Sequence, residues 1–132
     1  MGSISIQFGD FHVIPTLKLD RELIERALFN LIINAIKYGD ESTEIRVMPL
    51  ARRDGFVIAV SNYGIGVQPE EAPHLFNGNY RSPRAIQRSH GLGFGLKIAK
   101  KSMQAHGGDL VLSQATAPTI FSMIFPRSLI SE

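Results

Sequence analysis

The stretch His90–Gly108, HGLGFGLKIAKKSMQAHGG, sets Gly91, Gly93 and Gly95 directly against an amphipathic, lysine-rich segment. Few arrangements place the most flexible residues of a chain at the start of a helix. The usual physical reason is a bound anion: N–H groups at a helix N-terminus attract phosphate, and a missing Cβ lets it come close. The run is not a P-loop, because no Gly-Lys-Ser/Thr follows at the required spacing, and it lacks the spacing and preceding strand of the dinucleotide motif. Its position is more informative than its pattern, since a basic, polar stretch precedes it and a helix predicted over 93–106 follows. Leu96, Ala99 and Met103 share one face of that helix, and Gly107 and Gly108 stop it.

The remainder of the chain reads as alternating blocks of strand and helix. Residues 3–19 are expected to be mostly extended: SISIQF alternates, and VIPTLKL alternates around a proline that disfavours helix. Asp20 is a plausible N-cap for the helix RELIERALFNLIINAIKY, closed by Gly39. Ile24, Ala27, Leu28, Leu31 and Ala35 lie on one face of it. TEIRVMPL and FVIAVSN are strand-like and joined through Asp54-Gly55, a hairpin signal. YGIGVQPEEAPHLF reads as loop and then a short helical turn, NGNYRSPRAIQRSH as a long polar loop, and DLVLSQ and TIFSMIF as a final strand pair. This order implies an α+β fold: a two-layer sandwich, with a mostly antiparallel sheet and helices on one face.

A length of 132 residues suits one domain spanning 1–132. No cysteine is present, which removes disulfides and thiolate metal sites. A net charge of +2 argues against a nucleic-acid partner. The longest apolar run, LIINAI, is too short to span a bilayer, so no direct membrane contact is expected of this domain. No signal peptide is visible, and Met1-Gly2-Ser3 reads as an expression scar, residues 1–3, on a piece of a longer protein.

Three stretches carry candidate chemistry. On the first helix, Asn30, Asn34 and Lys37 stand at i, i+4 and i+7, a stripe bordering the apolar face. Asparagine is a mediocre helix former, so two on one stripe carry a cost. They either bridge neighbouring loops or offer amide oxygens to a hard cation such as Mg²⁺, with Lys37 as a point charge for phosphate. In SNYGIGVQPEE, Gly64 and Gly66 flank Ile65 after a strand, which is either a strand-to-helix turn or a close backbone approach. Asn62, at the strand end, could read the edge of a planar ligand. The third stretch is the glycine run itself.

Together FNLIINAIKYG, VSNYGIGV, LFNGNYR, HGLGFGLKIAKKSMQAHGG and TIFSMIFP resemble the catalytic ATP-binding domain of bacterial sensor histidine kinases. That domain belongs to the Bergerat-type superfamily shared with DNA gyrase, heat-shock protein 90 and MutL, and the resemblance covers residues 12–126. It implies ATP and Mg²⁺ as cofactors. Asn34 would be the metal ligand and, with Lys37, the catalytic pair; Asn30 would support it from one turn earlier. Lys37 and Tyr38 would contact phosphates or ribose. Gly64 and Gly66 would let the backbone approach adenine beside Ile65, with Asn62 and Thr119 at the adenine edge. Phe76 would anchor an ATP lid over residues 77–90, with Arg81 near the phosphates. Gly91, Leu92, Gly93, Gly95 and Leu96 would cradle the phosphates. Ile36, Ile65, Leu96 and Phe121 are candidates for the apolar wall or simply for the core.

The ATP-hydrolysing members of the superfamily carry a glutamate base at the position of Asn30, and an amide cannot serve as that base. The resemblance therefore implies phosphoryl transfer to a histidine rather than hydrolysis. None of His12, His74, His90 and His106 lies in a phosphoacceptor-like stretch, and His106 reads as structural, at a helix end where a basic side chain suits the dipole. The chain by itself is thus expected to bind ATP without autophosphorylating. Its expected partners are a histidine-bearing dimerisation domain and a downstream response regulator, in the cytoplasm, whether or not the parent protein is membrane-anchored. The chain departs from the family at Asn62, where aspartate is usual, at Asn79, and in the final box ATAPTIF, which has lost its glycine. The alternatives are a degenerate domain acting as a docking module, and another kinase of the superfamily resembling the anti-sigma serine kinases.

Overall fold

The computed structural model describes residues 5–13, 16–77 and 94–130. Five strands form one sheet: β1 (Ser5–Phe8), β2 (Glu44–Arg52), β3 (Gly55–Asn62), β4 (Asp109–Gln114) and β5 (Thr119–Pro126), in the spatial order β1-β2-β3-β5-β4. Only β1 pairs parallel with its neighbour; the other pairings are antiparallel. Two helices, α1 (Arg21–Tyr38) and α2 (Phe94–Ala105), cover one face of the sheet. This is the expected two-layer arrangement.

Local chemistry explains both helices. Asp20 caps α1, its carboxylate accepting the Leu23 N–H at 3.1 Å. Ile24, Ala27, Leu31 and Ala35 are buried at helical spacing, and Leu28 packs at their margin. In α2, Ala99 and Met103 are fully buried and Leu96 packs beside them. Gly107, with φ +78°, ends α2 in a Schellman motif: the Gly108 N–H reaches the Met103 carbonyl and the Gly107 N–H the Gln104 carbonyl.

The two helices run antiparallel, tied at both ends. At one end Gly95 lies so close to Asn30 that an added Cβ would sit 3.6 Å from the Asn30 Cγ. At the other, the Asp20 N–H donates to His106 Nε2 at 2.9 Å, while the His106 Nδ1–H donates to the Ser102 carbonyl at 2.7 Å. His106 is structural, as its position suggests, but for a different reason. Its ring joins the end of α2 to the cap of α1 through hydrogen bonds at both nitrogens.

Two sequence expectations need correction. Residues 3–19 are less extended than their alternation implies: β1 stops at Phe8, a 3₁₀ turn occupies Phe11–Val13, and Leu17 makes only an isolated bridge with Ile130. The parallel ladder with β2 takes in only Ser5–Phe8, so alternation in the described residues beyond it has no strand to pair with. Gly39 closes α1 without the left-handed cap. Its φ of −83° and ψ of 157° are extended, because it leaves the helix straight into a bridge with Gly64.

Candidate functional site

The site grows from the β3–β5 ladder. These strands pair over their whole length, from Gly55 with Pro126 to Asn62 with Thr119. The last pair places Asn62 and Thr119, both read from sequence as adenine-edge residues, directly opposite one another. Each is only 5% exposed. The Thr119 hydroxyl donates to the Ala115 carbonyl at 3.0 Å, which leaves its oxygen lone pairs available. Among the described residues none hydrogen-bonds to the Asn62 side-chain amide. A buried amide without a partner costs about 1–3 kcal/mol.

The end of α1 is folded onto this strand end by backbone bonds. The Asp40 N–H donates to the Tyr63 carbonyl at 2.8 Å and the Ile65 N–H to the Tyr38 carbonyl at 3.3 Å. The glycines that flank Ile65 serve this closure. A Cβ on Gly64 would fall 2.0 Å from the Tyr38 carbonyl oxygen, and Gly66 has φ +69° with Thr116 against it. The Val67 N–H then donates to the Ala115 carbonyl at 2.9 Å, drawing the loop across the β4–β5 turn. In that turn the Ala117–Pro118 peptide is cis, and Gln114 Nε2 donates to the Pro118 carbonyl at 2.8 Å.

Asn30 and Asn34 are half-buried along the margin of α1, as their stripe implies, but Lys37, the third residue of that stripe, is exposed; Tyr38 is half-buried. Neither the Asn30 nor the Asn34 amide has a hydrogen-bond partner among the described residues. Phe76 sits at the rim, its ring perpendicular to that of Phe121 at a centroid distance of 6.3 Å. Phe121 is buried core, whereas Ile36, Ile65 and Leu96 are half-buried, and Ile36 and Leu96 pack on the core. The structure thus brings together Asn30 with Gly95, Tyr38 with Gly64 and Ile65, and Asn62 with Thr119. Arg81, Gly91, Leu92, Gly93 and most of the expected lid (78–90) lie outside the described residues. Sequence reasoning gave no role to Thr116 and Ala115, which hold Gly66 and Val67; a surface turn two residues from a strand carries no signal of that contact.

What this arrangement can do follows from its donors. Amide oxygens, a buried amide beside a hydroxyl oxygen, and an exposed ammonium suit a planar polar base at one end and an anion with its cation at the other.

The chain matches the solved catalytic domain of the histidine kinase ThkA with a TM-score of 0.77 at 22% identity, covering 94% of this chain and 80% of that one. A mycobacterial sensor histidine kinase, MprB, superposes equally well, with a TM-score of 0.77 at 23% identity over 93% of this chain and 83% of that one. Residues 19–129 match the family model described as histidine kinase-, DNA gyrase B-, and HSP90-like ATPase. The chain belongs to that family. Within it, similar curated proteins are named as sensor histidine kinases and sensor proteins, and the chain is a histidine-kinase-type catalytic ATP-binding domain. Sensor histidine kinase YvrG of Bacillus subtilis (strain 168) is 33% identical over 83% of this chain and 19% of its own length. Alginate biosynthesis sensor protein KinB of Pseudomonas aeruginosa is 32% identical over 94% of this chain and 20% of its own. The chain therefore spans about a fifth of these two relatives.

Proposed function

We propose that this domain binds ATP together with Mg²⁺ at the Asn62–Thr119 end of the sheet and donates the γ-phosphoryl group to a histidine on a separate dimerisation domain. The observation that supports this most is the buried Asn62 amide, without a partner among the described residues and paired across the ladder with Thr119. Asn62 would accept from, or donate to, the edge of the base, with Thr119 as its neighbour. The Asn34 amide oxygen would hold Mg²⁺, which when bound neutralises phosphate charge. Lys37 supplies a mobile positive charge outside the core, and Tyr38 a half-buried ring beside it.

The residue types favour transfer over hydrolysis. Asn30 faces Gly95 at the start of α2, and an amide there cannot take a proton from water. The chain's own contribution is then to bind, orient and screen the nucleotide, while the acceptor histidine and its base come from the partner domain. A response regulator is the expected next acceptor, and the cytoplasm the expected compartment. Among the described residues no helix is long and apolar enough to cross a membrane.

Isothermal titration with a non-hydrolysable ATP analogue, with and without Mg²⁺, beside Asn34→Ala, tests the reading. Micromolar to sub-millimolar binding, with a Mg²⁺-dependent part lost in the variant, supports it. No binding at millimolar analogue refutes it and leaves a docking module that has lost its nucleotide.

A further inference from the structure

Lys100 lies on α2 beyond Gly95, and three parts of the molecule meet at its ammonium. Nζ donates to the Leu110 carbonyl at 3.0 Å and to Asp109 Oδ1 at 3.1 Å, both at the start of β4. It also stands 4.6 Å from the centroid of the Phe76 ring. A lysine ammonium has three N–H donors; two are committed to fixed partners, and the third is left for the ring. Leu110 is fully buried and its carbonyl belongs to the sheet, so the ammonium is held in place rather than free on its stem. Only a quarter of the Lys100 side chain is exposed, which strengthens a cation–π contact over one in open water.

The ring it holds matters to the site. Phe76 packs perpendicular to Phe121, and Phe121 lies two residues beyond Thr119 on β5. The Phe76 ring is therefore gripped between Phe121 in the core and Lys100 on α2, the helix whose start touches Asn30. Phe76 follows the 3₁₀ turn Ala72–His74, whose backbone is bonded through the His74 N–H to the Glu71 carbonyl at 3.0 Å, the Leu75 N–H to the Ala72 carbonyl at 3.4 Å and the Asn77 N–H to the His74 carbonyl at 3.1 Å. The Phe76 ring adds a side-chain anchor just beyond that turn.

We propose that Lys100 is a positioning residue of the nucleotide site, clamping Phe76 by a cation–π contact whose ammonium is fixed by Asp109 and the Leu110 carbonyl. The nucleotide half of this statement rests on the function proposed above. Lys100→Met keeps the aliphatic stem and removes the charge, whereas Lys100→Arg keeps the charge and an even better ring partner. Titration with the ATP analogue should show about a three- to tenfold weaker affinity in Lys100→Met, the range of one such contact, and recovery to within about twofold of wild type in Lys100→Arg. Phe76→Leu should weaken binding similarly, and the double variant Lys100→Met/Phe76→Leu no further, because the two residues act as one unit.

Amide hydrogen exchange supplies a readout that needs no nucleotide. The Leu75 and Asn77 amides should exchange several-fold faster in Lys100→Met, and not in Ile24→Val, a core variant that controls for general destabilisation. Unchanged affinity and unchanged exchange in Lys100→Met overturn the proposal, as does an equal loss in Ile24→Val. If the wild-type chain binds no analogue, the proposed function falls and the nucleotide half falls with it. Faster exchange at Leu75 and Asn77 would then still establish the clamp, and unchanged exchange would dispose of it too.

Discussion

The two ends of the β3–β5 ladder differ in how their polar and apolar groups are settled. At the Gly55–Pro126 end, the Phe56 and Phe125 rings stack at 4.6 Å with planes 3° apart, and the Arg127 N–H closes the β2–β3 hairpin onto the Asp54 carbonyl at 2.8 Å. At the Asn62–Thr119 end, the buried Asn62 amide is left without a partner among the described residues. One end is finished by the protein's own contacts, and the other is left for something to complete. The proposed function assigns recognition to the second end and leaves the first to stability, although both lie on the same pair of strands.

If that division is right, Phe125→Ala should cost about 3–5 kcal/mol of unfolding free energy in urea titration, since it empties a core position that is 1% exposed. Analogue affinity, measured where the variant remains folded, should stay within about twofold of wild type. A large affinity loss there would break the comparison.

Asn34→Ala should do the reverse: lose about tenfold or more in Mg²⁺-dependent affinity, about 1.4 kcal/mol or more, while its urea midpoint scarcely moves. Asn62 sharpens the contrast further. Asn62→Leu, of similar volume, should leave the nucleotide-free domain as stable or up to about 1 kcal/mol more stable, because an unsatisfied buried group is removed, yet abolish most analogue binding. Asn62→Asp should tighten ATP-analogue binding by several-fold to tenfold, on the order of 1 kcal/mol for a charged over a neutral acceptor, and narrow any tolerance for a GTP analogue. Competition between the two analogues checks it, and equal GTP competition before and after removes the case for relaxed base selectivity in the wild type.

The smallest effect is expected at the far end of the helix pair. His106→Leu removes the acceptor of the Asp20 N–H and should cost about 1 kcal/mol in thermal or urea unfolding, with no change in analogue affinity. An affinity change there would mean that the two ends of the helix layer communicate.

Much of this fold is readable because its signals are local. The α1 bounds follow from Asp20 as cap and from apolar residues at helical spacing, and α2 ends at Gly107 because a left-handed residue is needed there. The boxes of the candidate site are legible for a similar reason: glycine and asparagine at such spacings are costly unless something uses them. The extended reading of residues 3–19 fails because alternation reports a face, not a hydrogen-bonded partner, and β1 finds one for only four residues.

By itself, then, the sequence determined the elements, their apolar faces and the residue types available for nucleotide chemistry, since each depends on interactions within a few residues. Only the tertiary structure decided that Asn62 faces Thr119, that Gly64 makes room for the Tyr38 carbonyl, that His106 caps the opposite helix, and that Lys100 reaches Phe76. Each of those is a meeting of segments distant in the chain, set by strand register and helix packing, and no short window of residues specifies where a distant partner will lie.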